Sequence, residues 1–365
     1  KEQEAAAAKV REEEAKLKKL EEERTAAEAK AKAQATAAAA AGPDPEETKR
    51  NQRRAFIVRE MLDTERSYID GLNHLIVHYM RPLQEMADTP KEMIKKQDIK
   101  AIFSNIEVIY NFNQVLLERL ASKIDASWTE TTVIGDAFIA ILSYLRSYTE
   151  YVNNYTCAME TLNRLRRDNP RFAQFLDIVE KETPELKIVN VLIFPVQRVP
   201  RYILLLADLL KFTPDTHPDH ANLQKALAGM RTTGEFINER KRDAENASKL
   251  ASIQSSMKNK CPSLIEASRR YLSECEIGIL KKPGMPPRHG LMYLFTDAIL
   301  IARSLGKGKF LWKGTVSLAT VTFERLATAK NLEHGLRIVN RTPGAKDKHS
   351  EWTITFPSDE ERDQW

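Results

Sequence analysis

A chain of 365 residues is long enough for two or three domains, with 42% hydrophobic residues to fill cores and 29% charged residues to solvate surfaces. The formal net charge of +5 suits approach to an anionic membrane or an acidic partner and is too weak to argue for nucleic acid. No apolar run reaches the roughly 18 residues that a membrane-spanning helix needs, and the first residues carry no signal-peptide pattern. The three cysteines, Cys157, Cys261 and Cys275, are odd in number and lack metal spacing, so a reducing, cytoplasmic setting is expected. The chain starts without Met and stops at Trp365 within a helical pattern, so we expect a piece of something longer.

Residues 1 to about 41 are almost wholly Ala, Glu, Lys, Arg and Gln, the strongest helix formers. Opposite charges four apart, as at Glu12 and Lys16 or Glu28 and Lys32, support an exposed helix. Only Val10, Leu17 and Leu20 fall at heptad-like spacing, too few to sustain a coiled coil alone. A solvated helix or linker, a regulatory segment that folds back, and the tail of a longer coiled coil all remain open for the segment 1–48. Gly42, Pro43, Asp44 and Pro45 end it with four breakers in a row.

From about residue 49 to 258 the period is 3.6. Ile57, Met61, Thr64, Tyr68, Leu72, Leu75 and Tyr79 mark one face of a helix that reaches about Leu83. A second stripe runs through Val58, Leu62, Glu65, Ile69 and Ile76, with Glu65 its single charge. An acid there is either paired inside the bundle or aimed at a partner. Residues 98–124 predict another helix, and Ile134–Phe138 opens one that carries Tyr144, Tyr148, Tyr151 and Tyr155, spaced for packing. A short helix over 172–181 follows Asn169-Pro170, and a long last one covers about 219–256.

Between these lies the stretch that breaks local rules. Pro195 and Pro200 fall where the helix through Ile203, Leu206, Leu209 and Leu210 would continue backwards, and a proline in a helix interior costs roughly 3 kcal/mol. Gln197 and Arg198 sit between them in an otherwise apolar segment. Local rules broken together point to a working surface.

Pro195-Val196-Gln197-Arg198-Val199-Pro200-Arg201-Tyr202, followed by Leu204-Leu205-Leu206, resembles the signature helix of the Dbl-homology domain, the exchange-factor module for Rho-family GTPases. Glu60 to Tyr68 resembles that family's first conserved region, and Phe236-Ile237-Asn238-Glu239 matches its last helix. The resemblance implies an elongated helical bundle over 49–258 and a guanine-nucleotide exchange factor that binds the GTPase switch regions. By the same resemblance Glu65 would hold switch I, and Arg201 and Asn238 switch II. Gln197 lies in the same motif, and Ile193 would help choose a Rac-like or Cdc-like partner. Phe194 and Ile203 depart from the commonest family pattern. A non-catalytic scaffold of the same fold is the alternative.

Over 259–365 the period becomes 2. Leu291–Phe295 and Ala298–Arg303 around Thr296-Asp297 predict a hairpin, with further strands over 310–318, 321–326, 336–340 and 351–356. Ser358-Asp359-Glu360-Glu361 is a capping box that opens a closing helix. This pattern resembles a pleckstrin-homology β-barrel with its C-terminal helix, the usual companion of the helical domain, which makes the chain multidomain and mainly α. Lys281, Lys282, Arg288 and His289 then become candidates for phosphoinositide or weaker anionic-membrane contact. His74 and His78, four apart, and His217 and His220 lack acidic or cysteine partners at ligand spacing, so we assign no metal site. No phosphate-cradling glycine loop or serine elbow is present, and no cofactor is expected.

Overall fold

The computed structural model describes Thr25, residues 45–125, 127–266, 268–282, 284–340 and 351–365. The charged amino-terminal segment lies outside the described residues apart from Thr25 and its last four positions. The described residues form two compact units that part between Gly234 and Glu235.

The first unit is all helical. Its leading helix α1 (Pro45–His74) widens into a π-helical turn, Leu75–Met80, and resumes as α2 (Arg81–Met86). Pro82 falls in the first turn of α2, where a missing amide is tolerated, so the rod runs past the expected stop and ends at the extended Ala87. The helix predicted over 98–124 is two, α3 (Lys96–Phe103) and α4 (Ile106–Ile124), because Ser104 takes a positive φ of 49°. The neighbouring Asn105 side chain donates to the Ser147 carbonyl at 2.9 Å, which ties the corner down. Next come α5 (Gly135–Ile141) and α6 (Tyr148–Asp168). The Asn169 side chain accepts from the Phe172 amide at 3.1 Å and, with Pro170 in the first turn, starts α7 (Pro170–Glu182). The rule-breaking stretch forms α8 (Ile188–Leu192) and α9 (Phe194–Lys211), which are separated at Ile193, and α10 (His220–Ser256) follows.

α1 packs against α4 and α9, and α9 also packs on α6. Ile57, Leu62, Leu72, Leu116, Leu120, Tyr148, Leu206 and Leu209 are fully enclosed at their centre. Each such side chain contributes roughly 1.5–3 kcal/mol through burial.

The second unit holds the rest of α10 and one antiparallel sheet of seven strands: β1 (Tyr271–Leu280), β2 (Arg288–Phe295), β3 (Ala298–Gly306), β4 (Lys309–Ser317), β5 (Val321–Arg325), β6 (Gly335–Asn340) and β7 (Glu351–Thr355). Their order is β4-β3-β2-β1-β7-β6-β5. Ile277, Met292, Ile301, Val316, Ile338, Trp352 and Ile354 fill its interior. The Trp352 ring lies over Gly314, where an added Cβ would come within 2.3 Å of it. The capping box appears as expected: Ser358 accepts from the Glu361 amide at 3.2 Å and opens α11 (Asp359–Gln364). Among the described residues no helix is long and apolar enough to cross a membrane.

Candidate partner-binding surface

Helical periodicity divides α1 into two faces. Ile57, Val58, Met61, Leu62, Glu65, Tyr68 and Ile69 are buried, while Phe56 is 58% exposed and Glu60, Thr64 and Ser67 lie on the outer side. α9 divides in the same way. Pro195, Arg198, Val199, Tyr202, Leu205 and Leu206 point inward, whereas Gln197, Pro200, Arg201 and Leu204 face solvent. Pro195 occupies the start of α9, where its missing amide is harmless, and only Pro200 interrupts the interior of the helix.

Two polar rungs join these helices at the signature stretch of α9. The inner one is buried. Arg198 Nη2 donates to Glu65 Oε2, and the two side chains are 7% and 0% exposed. The guanidinium is sandwiched between the Tyr68 and Tyr202 rings, 4.8 Å and 4.6 Å from their centres. The Tyr202 hydroxyl lies 2.7 Å from the same Glu65 oxygen and 2.9 Å from Asn113 Oδ1, so one proton faces two acceptors. Asn113 Nδ2 donates to the Tyr148 hydroxyl at 3.0 Å, and that hydroxyl bonds to Tyr68 at 2.9 Å. Burial pushes the Glu65 carboxyl pKa up, and Arg198 and Tyr202 oppose the shift. Burial also works against the Arg198 charge, but Tyr202 and Glu65 outweigh it and raise its proton affinity. We read the pair as ionic.

The outer rung is exposed. Arg201 Nη2 donates to Glu60 Oε1 at 2.5 Å, with side chains 46% and 32% exposed. Beside it the two helices leave an open groove of about 490 Å³ lined by Thr64, Tyr68, Phe194, Pro200, Arg201 and Leu204. Leu204 is 67% exposed although it sits within a run of leucines. Further along, Arg53 bonds to Asp208 at 3.1 Å and stacks near the Phe56 ring. The Phe194 ring fits against α1 only because position 71 is glycine: a Cβ there would lie 2.6 Å from it.

This surface offers an acid, a base, an amide and exposed apolar side chains. Residues 57–238 match the RhoGEF domain. The chain belongs to the RhoGEF family. A guanine exchange factor for Rac 30 from Dictyostelium discoideum is 40% identical over 222 residues, covering 61% of this chain and 13% of that protein. Rho guanine nucleotide exchange factor 10 from Homo sapiens is 33% identical over 224 residues, covering 60% of this chain and 16% of that protein. The chain thus spans less than a fifth of the length of either relative. A solved structure of the Vav1 exchange factor superposes with a TM-score of 0.63 at 25% identity, covering 87% of this chain and 81% of that one. The DH/PH fragment of PDZ-RhoGEF, solved with human RhoA, gives 0.67 at 17% identity, covering 89% and 94%, which is a likeness of fold. The second unit is accordingly a pleckstrin-homology-like barrel that follows the RhoGEF domain.

One expectation is corrected. Glu65 is fully buried and engaged by Arg198 and Tyr202, so it cannot reach a partner. Glu60, five residues earlier on the other side of α1, is half-exposed and paired with Arg201. Gln197 and Arg201 are exposed as expected, and Ile193 is half-buried at the break before α9. Asn238 is exposed on α10 in the second unit. Sequence reasoning passed over Glu60, although it was quoted within the first conserved region, and Leu204, which the leucine run disguised. In the barrel, Lys281, Lys282 and Arg288 are exposed where β1 gives way to β2. Two unanticipated cations join them: the Lys313 pKa is lowered by burial and then by Arg303, Arg288 and Lys281.

Proposed function

We propose that this chain is a guanine-nucleotide exchange factor for a Rho-family GTPase, that its working surface is the α1–α9 groove with Glu60, Gln197, Arg201 and Leu204, and that Asn238 of α10 is a further partner contact. The single observation that carries this reading is the exposed Glu60–Arg201 pair beside an open, partly apolar groove within the RhoGEF domain. No bond is made or broken. The chain binds the nucleotide-free GTPase better than the nucleotide-bound one, and each tenfold weakening of nucleotide affinity takes about 1.4 kcal/mol of that difference. Glu60 and Arg201 satisfy each other in the free protein, so docking exchanges one solvated ion pair for contacts to the displaced switch segments. Leu204 and the groove floor supply the apolar anchor. GDP leaves, and the more abundant GTP enters.

A Rac-like partner is favoured because the 40% identical Dictyostelium discoideum relative is described as an exchange factor for Rac, and by family resemblance Ile193, half-buried at the break before α9, would influence that choice. Release of a fluorescent nucleotide from a panel of Rho-family GTPases tests the proposal. Glu60→Ala and Asn238→Ala should each lower the accelerated rate by about tenfold or more while the protein stays folded. Wild-type acceleration in both variants would refute the surface. A second reading, contact of the barrel with anionic membranes at the cytoplasmic face, is supported by the crowding of Lys281, Arg288 and Arg303 around Lys313.

A further inference from the structure

We infer that Glu65 and Arg198 are positioning residues for exchange: they touch no partner, and they fix the roll of α9 so that Gln197, Arg201 and Leu204 are presented as one rigid stripe. The inference rests on the α1–α9 surface proposed above and adds what keeps it rigid. Its geometry is that of a two-rung ladder. Glu60 and Glu65 on α1 meet Arg201 and Arg198 on α9, so each helix supplies one residue to the outer rung and one to the inner. The outer rung must open when a partner docks. Of the ionic links between these helices, the buried inner rung and the exposed Arg53–Asp208 bond further along then remain, and only the inner rung lies directly under the stripe.

Three features suit the inner rung to this task better than an apolar contact would. A planar guanidinium held between the Tyr68 and Tyr202 rings and bonded to Glu65 is restrained both in tilt and along the helix axis. Tyr202, one turn further along α9, grips the same Glu65 oxygen and also Asn113 of α4. Pro200 lies between them and removes a backbone hydrogen bond from the helix where it carries the partner-facing side chains. The backbone of α9 is therefore weakest where the stripe must be stiff, and the side-chain rung restores that stiffness from below.

The test uses the whole chain with Arg198→Lys, which keeps a buried positive charge beside Glu65 but loses the planar fork, and Tyr202→Phe, which keeps the ring but loses the hydroxyl. Nucleotide release is measured over a range of GTPase concentrations, and hydrogen exchange is followed at the α9 amides. We expect folded variants whose maximal release rate falls by about tenfold or more, as small misplacements can do, with the half-saturating GTPase concentration changed by less than about threefold. Amides of Arg201–Leu206 should exchange faster while those of α4 do not. Folded variants with the wild-type maximal rate, or with a loss confined to half-saturation, would overturn the inference. If the wild type accelerates release and both Glu60→Ala and Asn238→Ala keep that acceleration, the proposed surface fails and the ladder is judged by the α9 exchange rates alone, where unchanged protection in both Arg198→Lys and Tyr202→Phe overturns it.

Discussion

Two acids five residues apart on one helix have opposite fates, and elementary periodicity separates them. Glu65 falls in the row of Val58, Leu62, Ile69 and Ile76, and that row is buried. The helical pattern had already marked it as the lone charge in an apolar stripe. Family resemblance drew it outward, and the packing returns it inward. Glu60 lies on the polar side, where a charge needs no special explanation, and so went unremarked. The energetic stakes differ accordingly. The exposed Glu60–Arg201 bond is worth about 1 kcal/mol or less, so Glu60→Ala should leave the unfolding midpoint nearly unchanged. Tyr202→Phe strips the proton shared by Glu65 and Asn113 and leaves buried acceptors under-satisfied. We expect it to cost about 1–3 kcal/mol in denaturant unfolding. A cost as small as that of Glu60→Ala would show that the buried network is slack.

At the scale of elements, most helices were legible because their apolar rows recur every three to four residues. What escaped were the interruptions. Ser104 bends the chain through a positive φ that serine rarely takes, and no composition signal announces it. The π-helical turn is equally silent in sequence, and His74 is the last residue before it. That ring stacks on His78 at 4.5 Å and bonds to the Thr183 hydroxyl at 3.0 Å. Burial and then His78 lower the His74 pKa below its ordinary 6.5. The unfolded chain therefore binds this proton more readily than the folded one, and stability is lost as pH falls through about 6.5. The unfolding midpoint should drop between about pH 7 and about pH 5.5, and the drop should shrink in His74→Gln. An equal drop in that variant would assign the effect to other groups. Strand β1 was missed for a simpler reason. Tyr271, Ser273, Cys275 and Ile277 alternate with Leu272, Glu274 and Glu276, a period-2 pattern whose inward residues are too mixed in polarity to stand out.

For the whole molecule, the change of period near residue 258 and the compactness boundary at Gly234 do not coincide, because α10 is one continuous helix that enters both units. A helix has no internal punctuation for a sequence to display there. The barrel was legible in its later strands and its capped closing helix, but its cationic cluster was only half visible, since Arg303 and Lys313 become neighbours of Arg288 through strand pairing. Arg303 of β3 lies across from Gly290 of β2, and β4 brings Lys313 beside it. A basic patch of this kind adds about 1 kcal/mol per residue near an anionic surface. Arg303→Glu with Lys313→Glu should therefore abolish sedimentation of the chain with phosphatidylserine vesicles, and raised salt should do the same to the wild type. Salt-independent sedimentation would argue against an electrostatic origin.

The contact of Phe194 with Gly71 makes these two positions share a single allotment of space, although they stand 123 positions apart in the chain. A bulkier side chain at 71 is admissible only where 194 has given up its ring. Among descendants of this chain the two sites should drift together, so that glycine at one becomes dispensable once the other is small.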